Sequence, residues 1–189
     1  MFVILDGGHG WETKGKQSRD GSLKENEFND YMVAAIAVLL DLYGIPYYIL
    51  STSHTDLPLR NRSSRQRTVA RQAINDGYTP LTISIHADAF PTEANGAFVA
   101  YYSEEGKQAA EIVSEFIDTG EVRVKSPRRE NFHMLRETAG VALLLEMGMM
   151  TDDEDLRWLK NPQWRNKQAR QIVLAIIKIW ERWAKSGNV

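Results

Sequence analysis

Two histidines stand among small residues that leave their rings open to a ligand: His9 in Asp6-Gly7-Gly8-His9-Gly10, and His86 in Ser84-Ile85-His86-Ala87-Asp88-Ala89. The chain has no cysteine and four histidines, His9, His54, His86 and His133, so any metal must be held by imidazole and carboxylate groups. Two imidazoles and one carboxylate, with a fourth position left open, form a donor set that zinc enzymes use. Glu25 and Glu27 are candidates for the carboxylate. Each also has a purely structural use, because negative side chains at a helix start contribute roughly 0.3–1 kcal/mol. Spacing alone does not choose between them. Glu146 is of another kind, since it follows Val141-Ala142-Leu143-Leu144-Leu145 and precedes Met147-Gly148. A carboxylate ending so apolar a run is desolvated, which raises its pKa and suits it to proton transfer near neutral pH.

The elements that must position these groups alternate. Residues 2–5 form a short apolar run that empties into the Asp6–Gly10 loop, as a buried strand would. Over 26–43, Phe28, Met32, Ala35, Ile36, Leu39, Leu42 and Tyr43 recur at helical spacing, and Gly44 then stops the helix. A strand over 45–50, a charged helix over 59–76 and a strand over 81–85 ending at His86 follow. Further on come a strand over 97–102, a helix over 105–118 facing Ala109, Ile112, Val113 and Phe116 inward, and a strand over 141–145 ending at Glu146. Residues 132–135 read as a possible additional strand. A closing helix over 162–185 starts at Pro162 and carries the stripe Trp164, Ile172, Ile176, Ile179, Trp183. This order predicts a single α/β domain over 1–189: a twisted, mostly parallel sheet covered by helices on both faces, with functional groups beyond the carboxyl ends of the strands.

At 189 residues and 43% hydrophobic content the chain is long enough for one real core. A net charge of −2 supplies no basic field for nucleic acid or anionic lipid. The N-terminus lacks the pattern of a signal peptide, and no apolar stretch approaches the roughly 20 residues that span a bilayer. The expectation is therefore a protein made in the cytoplasm, without nucleic-acid or stable membrane association; the sequence leaves the oligomeric state open, with a monomer favoured.

Four ordered segments, Asp6–Gly10, Glu25 with Asn29, Ser84–Ala89 and Leu144–Gly148, resemble the zinc N-acetylmuramoyl-L-alanine amidases of the Amidase_3 type. Met134-Leu135-Arg136-Glu137-Thr138 is similar to that family's leucine–arginine segment, and residues 151–155 to its acidic turn. Leu156, Leu159 and Pro162 continue the pattern into the last helix. The resemblance implies Zn2+ as cofactor, with His9, Glu25 and His86 as ligands and Glu146 as the catalytic glutamate. It favours Glu25 over Glu27, because Phe28 and Asn29 then fall where the family has an apolar and a small polar residue. It implies peptidoglycan as substrate, cut between N-acetylmuramic acid and L-alanine; with neither a wall-binding module nor an export signal in the sequence, the expectation is a phage endolysin released through a membrane pore, a processed or trimmed bacterial amidase being the alternative. Gly7, Trp11, Asp88 and Met149 depart from the family's usual proline, glycine, asparagine and phenylalanine. Trp11 is a candidate wall for a sugar. His133 could approach the cleft, and the basic set Arg123, Lys125, Arg128 and Arg129 could meet anionic wall polymers, although a solvated loop is the plainer reading. A peptidase acting within the stem peptide, or a binding domain with a relict metal site, are the alternatives.

Overall fold

The computed structural model describes residues 1–10, 13–51, 57–89 and 95–185. Among these residues six strands form one sheet: β1 (Phe2–Gly7), β2 (Tyr47–Ser51), β3 (Pro80–Asp88), β4 (Phe98–Tyr101), β5 (Arg128–Arg129) and β6 (Val141–Met149), in the order β2-β1-β3-β6-β4-β5. β2, β1, β3 and β6 run parallel, β4 is antiparallel to β6, and β5 is parallel to β4. Among the described residues the helices are α1 (Glu25–Leu42), α2 (Leu59–Asn75), α3 (Glu104–Ile117), α4 (His133–Arg136), α5 (Asp153–Leu159) and α6 (Pro162–Lys185). This is the mostly parallel α/β architecture that the alternating pattern predicts.

The two sheet faces are covered unequally. Val3, Leu5, Ile83, Ile85, Leu143 and Leu145 point to the face under α1, α3 and α6, where they join the main core with Phe28, Ile36, Val113, Ile172 and Ile176. The alternate residues point the other way, as strand geometry requires. There α2 and the single-turn α4 give two small clusters, one around Ile4, Leu50, Ala70 and Met134, the other around Phe98, Ala100, Leu135, Ala142 and Leu144.

On that second face a buried ion pair ties the site-bearing strands to α2. Asp6, fully buried, accepts Arg62 Nε at 3.1 Å and Nη2 at 2.6 Å, together with the hydroxyls of Ser51 at 2.8 Å and Ser84 at 2.9 Å. The residues belong to β1, α2, β2 and β3. Ser51 and Arg62 also donate to the Gly7 carbonyl, so one network fixes the exit of β1 immediately before His9.

Several elements differ from the sequence reading. Residues 132–135 form no strand; residues 133–136 are one helical turn, with Leu135 and Arg136 N–H groups returning to the Phe132 carbonyl. Met134 and Leu135 are both buried, in the two separate clusters on this side of the sheet, so the single turn of α4 bridges them. Leu42 and Tyr43, counted with the apolar stripe, are 77% and 46% exposed: Leu42 lies with Val38 on the outer side of α1, away from the buried Phe28, Met32, Ile36 and Leu40. The acidic turn contains a helix of its own, α5, capped by Asp152, which accepts the Glu154 and Asp155 N–H groups. β3 and β6 also continue past His86 and Glu146, so these residues lie within strands, just before a register shift between His86 and Asp88.

Breaking the Asp6–Arg62 pair leaves a carboxylate buried without its cation, a loss of about 3–5 kcal/mol. Arg62→Met should lower the urea midpoint accordingly; an unchanged midpoint would show that the network is not a structural tie.

Candidate metal centre

β1, α1 and β3 deliver three donors to one place. One donor atom each from His9, Glu25 and His86 lies within 4.8 Å of the others. Glu25 opens α1 and is fully buried, whereas Glu27 is exposed, so the helix start presents the first of the two candidate carboxylates to the strand ends and the second to water. The loop before α1 makes this possible. Its Gln17 and Lys24 pair in an antiparallel bridge, and the Glu25 N–H donates to the Lys16 carbonyl at 3.0 Å.

His9 stands at φ 61°, a left-handed conformation for which a non-glycine residue incurs roughly 1–2 kcal/mol. Its ring meets that of His86 edge-on, with centroids 5.3 Å apart at 85°. Gly8 is required between them, because a Cβ there would overlap the His86 imidazole. The Asn29 side-chain amide holds this turn by donating to the Gly8 carbonyl at 2.8 Å.

The charges inside the cluster are incompletely answered. Glu25 Oε1 lies 2.9 Å from His86 Nδ1 and accepts the Ala87 N–H at 3.4 Å, but its buried Oε2 has no hydrogen-bond partner among the described residues. His9 Nε2 and Lys16 Nζ each stand 3.6 Å from that oxygen, and Lys16 Nζ lies 4.0 Å from Asp88. Burial pushes the Glu25 carboxyl up, but the hydrogen bond and charge of His86, with His9 and Lys16, outweigh it and hold the group below its ordinary value. His9 is pushed down by burial, which keeps its ring neutral and able to donate a lone pair. For His86 burial acts downward as well, but Glu25, Glu146 and Asp6 raise it overall. Two nitrogen donors, a carboxylate and an orphaned anionic oxygen facing inward are a donor set that fits a small divalent metal ion.

Glu146 lies next to this cluster. It pairs in register with His86 on one side and Phe98 on the other, is 9% exposed, and leaves Oε2 without a partner among the described residues. Burial, reinforced by the negative charges of Asp88 and Glu25 and only partly offset by His86, pushes its carboxyl up to about 8.

All four predicted site residues thus converge. His133 does not join them: its Nε2 is 3.0 Å from Ser63 Oγ in the contact between α4 and α2. Trp11 and His54 lie outside the described residues. Sequence reasoning missed Lys16 and Arg62. Neither sits in a motif by spacing; both reach their carboxylates only through the folded loop and the α2 packing.

An α/β protein carrying a His–Glu–His centre beside a desolvated carboxylate is thereby defined. Residues 3–178 match the N-acetylmuramoyl-L-alanine amidase family, Amidase_3, and the chain belongs to that family. The probable cell wall amidase LytH of Staphylococcus saprophyticus is 30% identical over 159 residues, covering 82% of this chain and 50% of that protein. LytH of Staphylococcus aureus is 28% identical over 183 residues, covering 94% and 57%. The chain spans about half the length of these relatives. Among solved structures, the N-acetylmuramoyl-L-alanine amidase AmiC2 of Nostoc punctiforme matches with a TM-score of 0.82 at 25% identity, covering 96% of this chain and 97% of that one.

Glu146 also sets a pH dependence of stability in the metal-free protein. The unfolded chain releases this proton near the ordinary 4.5 and the folded chain near 8. Between those values the unfolded state binds fewer protons, so stability falls as pH rises and levels off above the upper value. Measured in chelator, the wild-type minus Glu146→Gln difference in unfolding free energy should fall by on the order of a few kcal/mol between about pH 5 and 9. Parallel curves for the two proteins would mean that Glu146 is not held neutral.

Proposed function

We propose that this chain hydrolyses the amide between the lactyl carbonyl of N-acetylmuramic acid and L-alanine in peptidoglycan, with Zn2+ held by His9, Glu25 and His86 and with Glu146 as acid and base. The observation that carries the reading is the convergence of three metal donors beside a buried, unpartnered carboxylate with a raised pKa. Membership of the amidase family supports this bond among those such a site can cut.

When bound, Zn2+ supplies Lewis-acid polarisation of the scissile carbonyl and acidifies a water molecule. His9 and His86 contribute neutral donors and Glu25 one negative charge, with rings and carboxylate held by Asn29 through Gly8, by the β3 register and by the α1 start. Glu146 would be drawn to its ionised form by a cation held in these three donors. It then takes a proton from the attacking water as the new C–O bond forms, and returns it to the nitrogen as the C–N bond breaks. The products are the muramic acid carboxylate and a stem peptide with a free L-alanine amine.

The test is digestion of purified peptidoglycan by zinc-loaded and chelated protein, with mass analysis of the products. Stem peptides bearing an amino-terminal L-alanine, formed only with the metal, are expected. Glu146→Gln should bind zinc as wild type does and lose activity by at least about 100-fold, in the range for a general acid–base group. Cleavage inside the stem would replace the amidase with a peptidase, and undiminished turnover by the variant would remove Glu146 from the chemistry.

A narrower proposal is that the same cleavage serves lysis, as in an endolysin. Zinc-loaded protein added to whole cells with accessible wall should clear their turbidity. Intact cells alongside digested purified wall would remove the lytic role and leave the amidase standing.

A further inference from the structure

Resting on the amidase reading above, we propose that Arg128 is a specificity residue of the same cleft, one that binds a free carboxylate of the stem peptide beyond the cut amide. The basic stretch around it is built into the sheet. Ala97 N–H donates to the Arg123 carbonyl and Lys125 N–H to the Ala97 carbonyl, each at 2.8 Å, and Arg128 and Arg129 then pair with Ala100 and Tyr101 of β4. What read as a solvated loop includes an edge strand.

Register fixes the direction of Arg128. It stands beside Ala100 and so shares a sheet face with Ala100 and Phe98. Phe98 is directly opposite Glu146, and Glu146 beside His86. His86, Glu146 and Phe98 therefore form a row across neighbouring strands, and the Arg128 guanidinium closes it, 4.4 Å from the centre of the Phe98 ring. Phe98 beneath is 6% exposed, so the guanidinium rests on a buried ring, while Arg128 itself is exposed.

Arg129 donates Nε to the Tyr102 carbonyl at 3.1 Å, whereas the Arg128 side chain has neither an ion pair nor a hydrogen bond among the described residues, only the Phe98 ring. Its planar fork, oriented by the ring, is suited to receive a carboxylate through two parallel hydrogen bonds. Phe98 is one strand spacing, about 4.8 Å, from Glu146. The guanidinium lies a further 4.4 Å from the centre of the Phe98 ring, and an extended peptide advances about 3.4 Å per residue, so a carboxylate on the second or third residue of the stem spans that distance. The chemistry of the stem supplies such groups: its second residue is linked through the side-chain carboxyl and leaves the α-carboxyl free or capped as an amide, and its third residue in some walls carries another. A plainer use for an edge-strand arginine is to block pairing with another sheet. That use predicts no dependence on the substrate's charge.

The experiment compares zinc-loaded wild type, Arg128→Gln and Arg128→Lys on soluble muramoyl-peptides whose second-residue carboxyl, third-residue carboxyl, or both, are free or amidated. Wild type is expected to favour the free carboxylate about ten-fold in kcat/KM, chiefly through KM. The position whose amidation abolishes that preference identifies the carboxylate bound. In Arg128→Gln the ratio between free and amidated substrates should fall to about one, with the thermal midpoint retained, and Arg128→Lys should restore part of it. No preference in wild type, or the same preference in Arg128→Gln, overturns the proposal while leaving the amidase reading intact. Failure of wild type to cut any of these substrates at the muramoyl–alanine bond overturns both.

Discussion

Burying a carboxylate in an apolar sheet is the constraint on which this structure turns, and the fold meets it in three ways. Asp6 is answered in full: a bidentate arginine and two hydroxyls surround it, and the result is a fixed strand exit. Glu25 is answered by half, with one oxygen toward His86 and Ala87 and the other toward His9 and Lys16 at distances too long for hydrogen bonds. Glu146 is left without a partner for one oxygen, and its proton affinity rises in consequence. A desolvated anion must be paired, bound to a metal or neutralised. The three groups divide those outcomes among them, and the division separates scaffold, candidate metal ligand and candidate acid–base group.

The pairing of Asp6 makes the other two arrangements tolerable. His9 holds an unfavourable backbone conformation two residues after the strand that Arg62 and Ser51 fix at Gly7. Local strain of this kind persists only where its surroundings over-determine it. The Asn29 bond to the Gly8 carbonyl and the absence of a side chain at Gly8 complete that determination. Strain at His9 and the buried pair at Asp6 are thus parts of one device for aiming an imidazole.

Much of this was legible in the chain. His9 and His86 announce themselves through small neighbours after apolar runs, and Glu146 through the apolarity of Val141–Leu145, because buried strands print their burial directly into composition. Glu25 and Glu27 could not be separated by spacing, since both suit a helix start; the resemblance favoured Glu25, and burial of that residue and exposure of the other follow from where α1 lands on the sheet. Arg62 and Lys16 were invisible because a long cation in a polar segment has the same appearance whether it is solvated or folded under. Residues 132–135 misled through two adjacent apolar side chains, Met134 and Leu135. A single helical turn wedged between two clusters buries both, and four residues are too few for a period to show.

Unequal covering of the sheet connects the fold to access. α1, α3 and α6 seal one face with a continuous core, and much of the hydrophobic burial that opposes chain entropy lies there. The opposite face is therefore free to carry polar groups at its strand ends and small clusters elsewhere. Side-chain exposures of 23% for His9 and 12% for His86, against none for Glu25, show that the cluster opens through its imidazoles while its anion stays dry. A ligand entering by that route meets the imidazoles first and the buried carboxylate behind them. In a low-dielectric recess that charge favours a cation over a neutral guest by a wide margin. The same thin covering leaves the row that runs from His86 and Glu146 on the central strands to Phe98 capped at its far end by an arginine of the edge strand and not by a helix, so the path from the candidate chemistry to the sheet edge stays open to an extended substrate.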